Sequence, residues 1–264
     1  MGSGEAAQIL VERERREAGV VARLTVDNQA KLNVLDSRLT DQLRRAVADL
    51  AAEAEAEAEL RAVVLTGAGA RAFIGGADLR ELAALTPATA RSFITGLHEL
   101  CAALQALPVP VIARIQGYCL GAGLEIAASC DLRAAAEDAR FAMPEVRVGI
   151  PSVIEAALLP RLVGMGRARE LVLTGAAIDA AQALAIGLVE RVVPAERLDA
   201  AVDDWLASIL AAGPRALATQ KRLLREWQEL PLDAAIAKSI DAFAEAYESD
   251  EPRRLMRAFL ERPR

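Results

Sequence analysis

The chain has 264 residues, 53% of them hydrophobic, and a formal net charge of −6 at neutral pH. That is enough apolar sequence for one large core, or a core with an extension, and the acidic balance offers no basic footprint for nucleic acid. No stretch reaches the roughly 18 uninterrupted apolar residues of a membrane span, and Met1-Gly-Ser-Gly-Glu-Ala-Ala-Gln8 lacks the cationic and apolar pattern of a secretory leader.

In chain order, residues 8–13 and 19–26 read as two strands. Val20, Ala22, Leu24 and Val26 alternate with less apolar neighbours, and Glu17-Ala-Gly19 suits a hairpin turn. After the loop Asp27–Asn33, Asp36 or Ser37 is placed to cap a helix whose stripe Leu39, Leu43, Ala46, Val47, Leu50 has helical spacing. The alanine–glutamate run over 51–59 continues it as a solvated helix end. Arg61–Gly67 reads as a buried strand entering a glycine loop. Asp78-Leu-Arg-Glu81 has the form of a capping box and predicts a short helix from 78. A longer helix is expected over about 88–106, stopped by Pro108 and Pro110. A buried strand over 109–115 then meets glycines at 117, 121 and 123 and an apolar helix. Short strands are expected at 131–135, 139–142 and 189–193. Helices are expected over about 153–163, 167–174, 179–185, 198–212, 214–227, 232–246 and 250–260. The late ones carry apolar faces, such as Ile236, Ile240, Phe243 and Leu255, Phe259, Leu260, suited to the core or to another subunit. Strands alternating with helices to about 142, then helices, predict an α/β core with a helical C-terminal extension.

Cys101, Cys119 and Cys130 sit in apolar contexts without a CxxC, and read as small buried hydrophobes in a reducing compartment. A soluble cytoplasmic protein is the expectation. Gly67-Ala-Gly-Ala-Arg-Ala72 fits GxGxxA after a strand. A dinucleotide site, however, needs a helix at once and an acid about 20 residues on, and Phe73-Ile-Gly-Gly76 interrupts that pattern. His98 is the only histidine, too little for a metal site or a GxSxG hydrolase, and reads as a core or surface helix residue. The carboxylates carry more. Glu125 lies among Leu124, Ile126, Ala127 and Ala128, where a buried charge is costly. Glu145 follows twenty residues later in Phe141-Ala-Met-Pro-Glu-Val-Arg-Val-Gly-Ile-Pro151. Two acids in apolar surroundings can have their pKa values driven apart, one to donate and one to accept a proton. Pairing of Glu145 with Arg147, or helix capping by either acid, fits the spacing equally well. The glycine turns at 75–77 and 121–123, each before a helix start, offer backbone N–H groups that together suit an oxyanion, although tight chain reversal also explains them.

In combination these segments resemble the crotonase family, the enoyl-CoA hydratases and isomerases. Lys31-Leu-Asn-Val-Leu35 is similar to the family's KLNAL, Ala72-Phe-Ile-Gly-Gly-Ala-Asp78 to AFxxGAD, and Gln116–Glu125 to NGYALGGGxE. Phe141–Glu145 with Gly149-Ile-Pro151 is similar to FxxPE…GxxP, and Ala258-Phe-Leu-Glu261 to a C-terminal AFLE. The resemblance implies a spiral of ββα units over 1–197 holding a CoA thioester site. It also implies a helical oligomerisation region over 198–264, assembled as a trimer or a dimer of trimers. It implies no tightly bound cofactor and no metal, with coenzyme A entering as part of the substrate. The oxyanion hole falls on the backbone N–H groups of Ala77 and Ala122, and the catalytic pair on Glu125 and Glu145. Substrate contacts fall on Lys31, Leu32, Ala77, Asp78, Leu79, Arg80 and Gly121, with Lys31 and Arg80 beside the CoA phosphates. Both glutamates together favour a hydro-lyase that adds water to a 2-enoyl-CoA. Isomerisation, lyase or thioester hydrolysis on a CoA thioester, or a silent CoA-binding scaffold, are the alternatives. The chain departs from the family after Pro151, where Ser152-Val-Ile-Glu-Ala-Ala-Leu-Leu159 replaces a glycine-rich segment. Val153 and Ile154 are expected to reshape the acyl pocket there, and Glu155 reads as a first-turn acid favoured by the helix dipole, with a catalytic role as the alternative.

Overall fold

In the computed structural model, which describes residues 6–57 and 59–261, the chain begins with the expected hairpin. Met1–Glu5, where the leader pattern was sought, lie outside the described residues. β1 (Gln8–Arg16) runs antiparallel to β2 (Gly19–Asp27). α1 (Ser37–Glu57) is capped by Asp36, whose Oδ1 accepts the Leu39 N–H at 2.7 Å. The stripe Leu39, Leu43, Ala46, Val47 and Leu50 is buried, as its spacing predicts.

Three pairs of strands then build the scaffold: β3 (Leu60–Gly67) with β4 (Ala72–Ile74), β5 (Val111–Ile115) with β6 (Tyr118–Leu120), and β7 (Leu132–Ala136) with β8 (Arg140–Ala142). The first strand of each pair joins a six-stranded sheet of order β1-β2-β3-β5-β7-β10. The second joins a four-stranded sheet of order β4-β6-β8-β9, where β9 is Ile178–Asp179 and β10 is Arg191–Val193. Neighbours are antiparallel only at the β1–β2 and β8–β9 edges. Helices α2 (Leu79–Leu82), α3 (Pro87–Ala106) and α4 (Ala122–Ala128) lie between the pairs, so each ββα step advances both sheets by one strand. The result is a spiral of ββα units. β4, β6 and β9 have two or three residues each. That is too few for a period-2 pattern, and the sequence reads them only as parts of loops or helix starts.

Both faces of the larger sheet are buried, which is why β3 and β5 read as continuous apolar runs. In β3, Val63 and Leu65 enter the main core with α1 and α3, while Ala62 and Val64 enter a second core. That second core is closed by Leu198, Val202 and Leu206 of α7 (Leu198–Ala211), so the first helix after residue 197 packs on the spiral itself. Before it come α5 (Leu159–Thr174), broken at Gly164 where φ is +75°, and α6 (Ala180–Ala185). The helix expected over 153–163 begins instead as a 3₁₀ turn, Ile154–Leu158.

The chain ends in α8 (Pro214–Glu229), α9 (Leu232–Ala246) and α10 (Glu251–Leu260). Lys221 ties α8 to the spiral: its buried Nζ donates to the Leu104 and Val109 carbonyls at 3.1 and 3.0 Å and pairs with Asp131 at 2.8 Å. Glu251 Oε1 accepts the Ala216 N–H at 3.0 Å and so joins α10 to the start of α8. Along α9, Leu232, Ile236, Ile240 and Phe243 remain exposed. Among the described residues, no helix is long and apolar enough to cross a membrane.

Candidate active site

β4 and β6 are parallel neighbours, so the chain leaves both at the same end of the small sheet. Gly75-Gly76-Ala77 follows the first and Gly121-Ala122 the second. Close packing of α4 against β4 brings these turns together, and a Cβ at Gly123 would collide with the Ile74 carbonyl. Two buried amide side chains hold β4 from the other side. Gln116 Nε2 donates to the Gly67 carbonyl at 2.6 Å, and Asn33 Nδ2 donates to those of Ala72 and Ala68 at 2.8 and 3.0 Å. The GxGxxA stretch is therefore a tight β3–β4 connection with no helix behind it.

The backbone around Ala77 has a definite polarity. Leu35 N–H donates to the Gly76 carbonyl at 2.9 Å, and Asp78 N–H donates to the Leu35 carbonyl at 2.8 Å. Leu35 thus uses the groups flanking Ala77, and the Ala77 N–H turns the other way. Ala122 opens α4, where an amide has no acceptor within its own helix. Both residues line one cavity of about 910 Å³. Two backbone donors at its wall can polarise a carbonyl placed between them.

Glu125 and Glu145 line the same cavity. Glu125, on the first turn of α4, is 5% exposed, and its Oε1 accepts the Ala156 N–H at 3.2 Å. Glu145 follows Pro144 at the start of a 3₁₀ turn (Glu145–Val148), and its Oε2 accepts the Ser152 hydroxyl at 2.7 Å. Arg147 is not its partner, because Arg147 Nε donates to the Thr174 carbonyl at 3.1 Å. Gly121 matters twice here: its φ is +52°, and a Cβ would run into Glu145 Oε1. Burial, and next the charge of Glu145, push the Glu125 carboxyl up to about 8; the Ala156 N–H opposes this and Glu155 adds to it. The arrangement can hold a proton on one acid beside a second acid, at the mouth of an oxyanion site.

The other expected contacts lie around this frame. Lys31 Nζ pairs with Asp78 Oδ2 at 2.8 Å. That pair, with the Arg80 N–H, holds the Asp78 carboxyl below its usual range. Leu32 has φ +57°, and its carbonyl accepts the Gly75 N–H at 2.9 Å, bracing the first glycine turn. Leu79 is an exposed part of the cavity wall, and Arg80 is exposed at the start of α2. The capping box at 78–81 forms only half. Asp78 accepts the Arg80 N–H at 2.8 Å, but Glu81 crosses to the N–H of Ser37 at 2.9 Å and to its hydroxyl, because the start of α1 offers free donors. Val153 lines the cavity, whereas Ile154 packs against the core.

One pair escapes sequence reading. His98 Nδ1 lies 2.9 Å from Glu155 Oε1, so Glu155 has a specific partner on α3 rather than only a helix start, and His98 is more than a surface residue. A lone histidine on the Ala90–Ile94–Leu97 side of α3 and an acid inside Val153–Leu158 were the available signals. Nothing in the sequence joins two residues so far apart. Among the described residues, no group of three or more His, Cys, Asp or Glu side chains is arranged to hold a metal ion.

A sequence profile described as "Enoyl-CoA hydratase/isomerase" matches residues 15–264. The chain belongs to the enoyl-CoA hydratase/isomerase family. Its relatives include a short-chain-enoyl-CoA hydratase of Clostridium acetobutylicum, 34% identical over 98% of this chain and 96% of the relative. A 2,3-dehydroadipyl-CoA hydratase of Escherichia coli is 37% identical over 97% and 96%. Among solved structures, an enoyl-CoA hydratase from Bacillus anthracis superposes with a TM-score of 0.89 at 31% identity, over 96% of each chain. The superposition spans nearly the whole chain, so the paired-strand scaffold described above is shared with that enzyme.

Proposed function

We propose that the protein is an enoyl-CoA hydratase that adds water across the double bond of a short 2-enoyl-CoA, reversibly, to give a 3-hydroxyacyl-CoA. The observation that carries this is the meeting of two acids, Glu125 and Glu145, with the amides of Ala77 and Ala122 in one cavity. The thioester carbonyl accepts bonds from Ala77 N–H and Ala122 N–H, which draws electrons from C3 and stabilises the enolate. Glu125 takes a proton from the water whose oxygen bonds to C3, and Glu145 gives its proton to C2. After product leaves, the proton on Glu125 passes to Glu145 and the pair is reset. Burial and the charge of Glu145 hold one proton on the pair up to about pH 8, and when that proton sits on Glu145 the ionised Glu125 is a strong base. Ser152 steadies Glu145 through one oxygen only. The relatives named for short-chain-enoyl-CoA and 2,3-dehydroadipyl-CoA hydration support the same chemistry.

The CoA moiety runs past Leu32, Asp78 and Leu79, with Lys31 and Arg80 toward its phosphates. The acyl chain lies against Leu82, Phe93, Ile94, Val148, Ile150 and Val153. The reaction uses the chain's own groups and the CoA thioester, with no tightly bound cofactor. The exposed apolar face of α9 supports an oligomerisation role for the 198–264 region, as a trimer or a dimer of trimers, in a soluble cytoplasmic enzyme. Adding the protein to crotonyl-CoA tests the reading: absorbance of the conjugated thioester falls and the product gains the mass of one water. Conversion without that mass gain assigns another reaction of the family, and unchanged short and medium 2-enoyl-CoAs reject hydration.

A further inference from the structure

The hydration steps leave Glu155 without a role, yet its setting is costly. It is 7% exposed. Its Oε1 meets His98 Nδ1 at 2.9 Å, while its Oε2 is buried with no hydrogen-bond partner among the described residues. A buried carboxylate with an unused oxygen gives up solvation without full return. The turn that carries it is also strained, because Ile154 has φ +41°, where a β-branched residue rarely sits. The next residue, Ala156, donates its N–H to Glu125. An anion and a strained backbone thus stand one residue from the amide that steadies the active-site acid. A helix-dipole effect accounts for neither the histidine nor the strain.

Several groups act on Glu125 from the elements around it. Glu145 comes from the turn after β8, and the Ala156 N–H and Glu155 from the turn after Pro151. On α3, His98 bonds Glu155, and the buried Cys101 thiol is raised first by burial and then by Glu155. The His98 side chain is 54% exposed, so it links solvent to the buried carboxylate. As the acceptor is a carboxylate, Nδ1 is the donor.

Resting on the hydratase reading, we propose that Glu155 and His98 are a positioning pair that sets how tightly Glu125 holds its proton. Glu155 places a second negative charge beside Glu125 and favours its protonated form. His98 donates Nδ1–H to Glu155 and draws off part of that charge. The pair also seats the turn that presents Ala156 N–H. Neither residue touches the reacting atoms.

The test compares wild type, Glu155→Gln and His98→Gln by the pH profile of kcat/KM on crotonyl-CoA. Glu155→Gln nearly keeps size and shape, and His98 is exposed enough to be replaced without a buried void. The limb near pH 8 that Glu125 governs moves to lower pH in Glu155→Gln and to higher pH in His98→Gln, each by about half a pH unit or more, roughly a threefold change in ionised fraction. A purely structural pair lowers kcat or Tm but leaves the midpoint in place, or moves it the same way in both variants, and either outcome overturns the proposal. A second measurement needs no turnover: the infrared band of the protonated carboxyl that vanishes in Glu125→Gln is followed against pH in all three proteins. The same order of midpoints supports the pair even if crotonyl-CoA is not hydrated. Identical midpoints reject it even if hydration is found.

Discussion

A carboxyl that is 5% exposed and keeps its proton to about pH 8 makes the folded chain less stable as pH rises. The folded-state pKa of Glu125 lies above its ordinary value of 4.5. Below about 4.5 both folded and unfolded chains carry the proton and the site costs nothing extra. Between 4.5 and about 8 the unfolded chain alone loses it, and stability falls with pH until both states are ionised. At about 1.4 kcal/mol per pH unit, this amounts to a few kcal/mol at pH 8. Glu125→Gln is therefore expected to raise Tm over wild type at pH 8 and not at pH 4.5, read by scanning calorimetry. A Tm difference independent of pH would mean that the buried charge is not the cause. In the same variant kcat falls by about two orders of magnitude or more, as expected on losing a general base, and Glu145→Gln falls similarly. Near wild-type rates in either remove that residue from the mechanism. In wild type, kcat/KM falls as pH rises through about 8, because the pair then loses the one proton that must pass to C2; a rate that holds above pH 8 would mean that this proton comes from elsewhere.

The elements that carry the site are among the shortest in the molecule. β4 and β6, three residues each, hold Ala77 and Ala122 in step only because longer elements pin them. Asn33 does much of this. It has φ +56°, a conformation asparagine tolerates, and it bonds Ala68, Ala72 and, through Oδ1, the Asn28 N–H at 2.9 Å. Asn33→Ala removes these bonds and leaves the Ala72 carbonyl only the longer one from Gln116 Nε2 at 3.3 Å, at a cost of about 2–3 kcal/mol in denaturant unfolding. Because β4 leads into the Gly75–Ala77 turn, kcat is expected to fall by about tenfold or more, as for a weakened oxyanion contact. Full activity at the reduced stability would show that the turn holds its shape without this anchor.

At the scale of the whole molecule, the spiral buries both faces of its large sheet, but the C-terminal helices leave an apolar face uncovered. Ile240 and Phe243 are 66% and 70% exposed, and with Leu232, Ile236 and Trp227 they line a groove of about 670 Å³. An exposed apolar patch of this kind marks a contact surface. On the proposed trimeric or hexameric assembly through this face, Phe243→Asp is expected to sediment as a monomer, with the spiral still folded by circular dichroism. An unchanged sedimentation coefficient would place the subunit contact elsewhere.

Much of this protein was legible from its sequence because the signals are local. The α1 stripe, the buried runs of β3 and β5, and the proline stop after α3 each repeat a pattern within one element, and several spaced motifs identify the family. Glu125 and Glu145 stood out because a charge in apolar sequence needs a reason. Tertiary structure decided what depends on residues far apart. It separated each strand pair into two sheets, since three-residue strands are stable only beside neighbours. It gave Glu81 to Ser37, Lys31 to Asp78 and Arg147 to Thr174, because free donors and acceptors at element ends take the nearest partner in space. It also set His98 against Glu155 behind Glu125, a pairing made by how α3 packs on the turn after Pro151 and therefore invisible to any reading along the chain.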